Sequence, residues 1–222
     1  MITITQKNRI LLVATIFFCF FANTIVFAGP NESARCALDL DFTTSTIESS
    51  LKAKTNEQIT ITIVAQNVSN LDTFQVEIKF NPKRMAFVNA IETYGFEYEN
   101  FLSLNYGYPI GLQVKQTNDS TINIANALSG QNTDEAPDGS GVIAYVVFKI
   151  LDNQPNNYLT LANVHYIDSL TTKDSIQSLS HATVNKQILG DLDNNEKLDL
   201  RDVIAILKVL SEMSSSDSNN NN

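Results

Sequence analysis

Between residues 36 and 187 apolar side chains recur at every second position, and few architectures accommodate that period. Ile59, Ile61 and Ile63 alternate with Gln58, Thr60 and Thr62, and Phe74, Val76, Ile78 and Phe80 alternate with Thr73, Gln75, Glu77 and Lys79. Successive side chains of a strand point to opposite faces, so each such segment buries one face and leaves the other in water. Residues 38–42, 86–91, 110–115, 121–127, 142–150, 158–164 and 182–186 read the same way, giving nine strands. Turn-forming clusters separate them: Asn67-Val68-Ser69-Asn70, Asn81-Pro82, Asn118-Asp119-Ser120, Pro137-Asp138-Gly139 and residues 152–157. Many short strands with almost no helical period between them predict an all-β, antiparallel sandwich or jelly roll of nine strands. Roughly 150 residues suffice to bury a core between two such sheets.

Within that pattern, residues 73–88 (TFQVEIKFNPKRMAFV) form a strand that ends in an aromatic-Asn-Pro corner and restarts as a second strand. Residues 141–150 (GVIAYVVFKI) and 159–164 (LTLANV) follow in order. The ordered set, over about residues 45–187, resembles the cohesin family. Cohesins are nine-stranded jelly-roll modules that bind dockerins, the docking modules of extracellular cellulosome enzymes, and their sandwich superfamily includes carbohydrate-binding modules. The resemblance implies that the outward residues of the third strand, Thr73, Gln75, Glu77 and Lys79, lie on the sheet used for partner recognition. Read from alternation alone, the same four residues are equally a solvated strand face.

The N-terminus carries a different signal. Lys7 and Arg9 precede an almost unbroken apolar run over residues 10–21, and Val26-Phe27-Ala28 supplies a cleavage point, so residues 1–28 read as a secretory signal peptide. The alternative is an uncleaved anchor, because residues 10–28 are just long enough to span a bilayer. Processing would leave 13 basic against 24 acidic side chains, a net charge of −11, on a protein that is secreted or held at the cell surface with no membrane span. A sequence pI near 4.6 excludes nucleic acid as a partner, since phosphates demand a basic footprint. Cys19 would leave with the signal, so Cys36 has no internal disulfide partner and is a bystander thiol or an intermolecular link.

After Lys186 the period changes. From Asp191 onward, Asp191, Asp193, Asn195, Asp199 and Asp202 put oxygen side chains at positions 1, 3, 5, 9 and 12 of a loop, and Lys197 offers its backbone carbonyl from position 7. These are the positions from which a 12-residue EF-hand-type loop surrounds Ca²⁺, so calcium is the expected cofactor. The alternative is an acidic, Asn-rich loop that caps a helix. Glu196 stands where such loops usually have Gly, and forcing a non-Gly residue to positive φ costs about 1–2 kcal/mol.

Residues 200–213 predict the one clear helix outside the N-terminal segment, with an apolar face made by Leu200, Val203, Ile204, Ile206, Leu207, Val209, Leu210 and Met213. That face is wider than packing on one surface requires, so the helix needs a partner. Loop and helix together, residues 188–213, resemble a single dockerin repeat, whereas a full dockerin has two. That resemblance places Leu200, Arg201 and Lys208 at partner-touching positions and implies dockerin- or cohesin-bearing extracellular proteins as partners. Residues 214–222 form a Ser/Asn tail expected to be disordered.

No catalytic residue is expected. His165 and His181 have no nucleophile or metal-ligand spacing around them, and no G-x-S-x-G, C-x-x-C or phosphate-cradling loop is present. Polysaccharide binding is the alternative function, carried by Tyr94, Phe96, Tyr98, Phe101, Tyr106 and Tyr108, whose rings could stack on sugars. The expectation is a secreted, noncatalytic adaptor module in an extracellular assembly linked to polysaccharide breakdown; the other readings are a carbohydrate-binding module or a structural surface protein.

Overall fold

The computed structural model describes residues 29–95, 99–130, 134–187, 189–192 and 197–218. The signal-peptide reading of residues 1–28 lies outside them. The strands are β1 (Arg35–Asp39), β2 (Ser50–Leu51), β3 (Gln58–Val68), β4 (Leu71–Lys79), β5 (Met85–Ile91), β6 (Gln113–Asn118), β7 (Thr121–Ala127), β8 (Gly139–Ile150), β9 (Asn157–Asp168), β10 (Lys173–Ser175), β11 (Ser178–Ser180) and β12 (Ala182–Val184). One helix, α1 (Leu200–Ser218), follows.

All nine expected strands are present, as β1, β3 to β9 and β12, but β2, β10 and β11 bring the described total to twelve. These three additions are two or three residues long, too short to show alternation. The first strand starts at Arg35 rather than 38 and stops before Phe42, whose ring packs edge-on against Tyr94 and Tyr145, with ring centroids 5.1 and 5.5 Å away, outside the strand ladder. The sixth starts at Gln113; Ile110 belongs to an extension that pairs with the end of β7. Helix α1 runs past Met213 to Ser218, since an established helix propagates at the cost of one further hydrogen-bonded residue at a time.

Two sheets face each other. One has the order β11-β1-β3-β8-β5, the other β2-β12-β9-β4-β7-β6, with β10 added on β9. The long pairings are antiparallel, as expected, while two short ones, β1 with β11 and β12 with β2, are parallel. The core is where the alternation put it. Ile59, Ile61 and Ile63 of β3 and Val146 and Phe148 of β8 meet Phe74, Val76 and Ile78 of β4, Ile122 and Ile124 of β7, and Leu161 and Tyr166 of β9, all essentially without solvent exposure.

The turn between β3 and β4 shows how the polar clusters act. Asn70 takes φ +54°, a left-handed conformation that Asn adopts more readily than most residues. Buried Asn31 closes the turn, donating to the carbonyl of Ser69 at 3.0 Å and accepting from its N–H at 2.7 Å. This fixes the register with which β4 enters its sheet, and so the face that β4 presents.

Candidate partner-binding face

β4 is central in its sheet, between β9 and β7, and its buried residues Phe74, Val76 and Ile78 pin its other side chains outward. Register then sets what lies beside them. Thr73 is opposite Ala127 and Ile167; Gln75 is opposite Ala125 and His165; Glu77 is opposite Asn123 and Ala162; Lys79 is opposite Thr121 and Thr160. On β6, Gln113 and Lys115 continue the rows of Ala125 and Asn123. Directly opposed residues share a face, so the four candidates from β4 form a polar middle column on one sheet surface, flanked by small residues such as Ala125 and Ala162 as well as by Asn123 and His165. Pairing alone supplies the flanking columns, which alternation in a single strand does not show.

The charged end of this surface is partly ordered. Lys79 Nζ lies 3.3 Å from Glu77 Oε1, and Asn163, at a bulge with φ +45°, donates to Glu77 Oε2 at 3.2 Å. The ion pair contributes little to stability because Lys79 is half exposed. Its effect is to hold the Glu77 carboxylate in one place. In the row of Gln75, His165 Nδ1 lies 3.1 Å from Ser175 Oγ, and desolvation followed by the charge of Lys173 lowers its pKa from the ordinary value. Tyr158, 60% exposed, stands outward two residues from Thr160 and gives this end an aromatic rim.

At the other end, the bulge between Leu71 and Thr73 carries Asp72. Its Oδ1 is buried without a hydrogen-bond partner, and Thr73 Oγ1 donates to Oδ2 at 2.7 Å. Burial raises the Asp72 carboxyl above the usual range, and the nearby Asp168 raises it further. A carboxyl with a raised folded pKa contributes stability at low pH that is lost as pH rises from the unfolded value through the folded one. Asp72→Asn is therefore expected to raise the urea midpoint at pH 7 and to change it little near about pH 3, where the carboxyl is protonated in both states. Equal shifts at both pH values would show that charge at this position is not the cause.

The C-terminal loop divides. Asp193, Asn195 and Glu196 lie outside the described residues. Of the rest, Asp191 is 9% and Asp202 2% exposed, while Lys197 and Asp199 are exposed. Asp202 accepts from the N–H of Leu192 at 2.7 Å through Oδ1 and from that of Asp199 at 3.0 Å through Oδ2. Asp199 Oδ1 accepts from the N–H of Arg201 at 2.8 Å. Asp199 and Asp202 thus form a reciprocal cap on α1, and Asp202 also ties the far end of the loop to its beginning. Capping, one of the two readings of these residues, is present. It does not exclude the other, because a carboxylate can accept from backbone N–H groups and ligate a cation at once, and hard oxygen donors buried at both ends of one loop fit a hard cation. Among the described residues, no group of three or more His, Cys, Asp or Glu side chains is gathered as a metal site. The donors from Asp193 and Asn195 would have to complete one. Leu200, Arg201 and Lys208 are exposed on α1 and are not brought near the β4 face by any described hydrogen bond or ion pair.

The aromatic cluster does not form one platform. Phe101 is buried in a turn of 3-10 helix against Gly141, where a Cβ would clash with its ring. Tyr94 packs on Phe42 and Tyr145 on the opposite sheet. Tyr106 and Tyr108 are 89% and 75% exposed, and Phe96 and Tyr98 lie outside the described residues. Cys36 is fully buried and free, with burial pushing its thiol up to about 12. It is inaccessible for an intermolecular link. Among the described residues no helix is long and apolar enough to cross a membrane.

The cohesin-domain family model matches residues 43–189. Solved structures share the fold at low identity. A chain of the Coh-OlpA–Doc918 complex, a type I cohesin–dockerin complex from Clostridium thermocellum, is 12% identical with a TM-score of 0.52, over 69% of this chain and 99% of that chain. A type II cohesin domain from the cellulosome of Acetivibrio cellulolyticus is 16% identical with a TM-score of 0.51, over 68% and 95%. CaCohA2 from Clostridium acetobutylicum is 12% identical with a TM-score of 0.51, over 69% and 90%. No curated protein sequence matches.

Proposed function

The chain belongs to the cohesin family, and from that premise we propose that it is a secreted, noncatalytic adaptor whose β9-β4-β7-β6 surface receives a dockerin-type module in an extracellular, cellulosome-like assembly linked to polysaccharide breakdown. The observation that carries this reading is the surface itself. It is continuous over four strands, with a polar β4 column flanked by small side chains such as Ala125 and Ala162, and it stands on a buried core. Structures of the same fold come from complexes named for a cohesin and a dockerin. The test is recovery of proteins from the source organism's secretions on the immobilised chain from residue 29, with calcium and with chelator. Recovery of dockerin-bearing proteins supports the reading. Recovery of none, with retention of the chain on insoluble polysaccharide instead, moves the function to carbohydrate binding, for which the exposed rings of Tyr106 and Tyr108 are the supporting feature.

The loop over residues 191–202 is the proposed Ca²⁺ site, with Asp191, Asp193, Asn195, Asp199 and Asp202 as side-chain ligands and Lys197 as the carbonyl ligand. Bound ion would hold the loop in the conformation that caps α1 and so present Leu200, Arg201 and Lys208 to a cohesin-bearing partner. A ligand that binds only the folded form stabilises it by about 2.7 kcal/mol at a hundredfold excess over Kd. The helical circular-dichroism signal of α1 is expected to melt at a higher temperature in calcium than in chelator, and Asp202→Ala is expected to abolish the difference. Identical melts in calcium and chelator would remove the metal from the mechanism.

A further inference from the structure

Among the described residues nothing covers the apolar side of α1. Leu200, Val203, Ile204, Ile206, Leu207, Val209 and Leu210 are between 41% and 71% exposed, and Leu192 and Leu198 of the preceding loop are 51% and 64% exposed. At about 100° per residue these positions fill more than half of the helix circumference, leaving Arg201 and Lys208 together on the remaining stripe. Each such side chain leaves on the order of 100 Å² of apolar surface in water, so the unit exposes roughly 900 Å². Monomeric proteins rarely expose a contiguous apolar patch above a few hundred Å², and a stable interface takes about 800 Å² from each partner.

We propose that this loop-helix unit pairs with the same unit of a second copy of the chain, across a two-fold axis. Area and shape both select this occupant. A flat protein surface covers one stripe of a helix. In a two-fold pair, by contrast, each α1 meets both the helix and the loop leucines of the other copy, so two flanks are covered at once. The sandwich is a poor substitute, because its largest apolar residues pack between its own sheets and the exposed ones, such as Val88, Leu104, Ile110, Leu151 and Leu170, come from separate strands and loops. Charge does not oppose the pairing: Asp202 is turned into its own loop by two backbone N–H groups, and Arg201 and Lys208 face away from the apolar arc. The pairing is independent of what the sandwich binds; it leaves Arg201 and Lys208 outward and competes with a cohesin-bearing partner for Leu200. It would give each assembly two sandwich faces, one from each copy.

Sedimentation of the chain from residue 29, with calcium throughout and over a wide range of protein concentration, tests this. A two-fold interface closes, so the expected result is a monomer-dimer equilibrium with no larger species. Val203→Asp with Leu207→Asp, both at exposed positions, is expected to give monomer at every concentration while the strand signal and thermal midpoint of the sandwich stay unchanged. Phe148→Ala, at a buried site remote from α1, is the control and is expected to leave the dimer intact at temperatures where it folds. Monomeric wild-type chain at all concentrations would overturn the pairing. A ladder of higher oligomers would also overturn it, because that is the signature of a helix docking head-to-tail on another copy's sandwich. So would a dimer that survives the double substitution, which would place the interface elsewhere.

Discussion

Phe148→Ala is expected to lower the unfolding free energy by about 3–5 kcal/mol, the cost of truncating a fully buried aromatic side chain and leaving a cavity. Phe148 has no solvent exposure. Its ring centroid lies 5.1 Å from that of Phe80 and 6.1 Å from that of Phe87, both edge-on. Phe87 belongs to the neighbouring β5, whereas Phe80 directly follows β4 of the opposite sheet. The substitution therefore removes a contact across the sandwich together with one within a sheet, and edge-on aromatic pairs add to plain area burial. Domains of this size hold about 5–15 kcal/mol in total and lose about 2–4 °C of Tm for each kcal/mol. The expected drop is then roughly 6–20 °C. Val88→Ala, at a 44% exposed site on β5, is expected to stay within about 0.5 kcal/mol. Urea unfolding of both variants checks the contrast. Equal losses would mean that the core is not where the two sheets meet.

The second large effect concerns binding. Ala125 sits in the outward row between Gln75 and Gln113, where its small side chain lets a partner approach the sheet closely. Ala125→Arg places a long, charged side chain in the middle of the surface. A misplaced charge and steric bulk at the centre of an interface act as strong negative elements, so affinity for a dockerin-type partner is expected to fall at least about a hundredfold, or about 2.7 kcal/mol. The fold is expected to be unaffected, because the new side chain points to solvent. Lys115→Ala, at the edge strand, is expected to change affinity only a few-fold, since rim residues carry little of the binding energy. Calorimetric titration of the three proteins with one dockerin-type module measures this. If Ala125→Arg bound as the parent does, the docking surface would have to lie elsewhere on the molecule.

How much of this was legible in the residues depended on whether a feature is local. β4 was readable because Phe74, Val76 and Ile78 alternate with polar residues, and the same pattern gave its outward four correctly. β10 and β11 were not, because three-residue segments such as Lys173–Ser175 become strands only through the partner they pair with. The flanking columns of the surface, His165 on one side and Asn123, Ala125 and Lys115 on the other, follow from register across β9, β7 and β6. A one-residue slip in any of those pairings would send a different set outward. Phe42 reads as the end of a strand because it is apolar, whereas it packs on Tyr94 and Tyr145 from a loop. In the C-terminal loop the spacing of Asp199 and Asp202 carried two meanings, ligand positions and helix cap. The hydrogen bonds of Asp202 bring out the second without removing the first.

The most direct test of the central claim is the footprint of a saturating dockerin-type module on the backbone amides of the chain from residue 29, read by NMR chemical-shift change. The expected footprint is centred on Gln75, Glu77, Asn123, Ala125 and His165 and fades toward the edges of β6 and β12. A footprint centred instead on Phe42, Tyr94 and the outer face of the opposite sheet would contradict it.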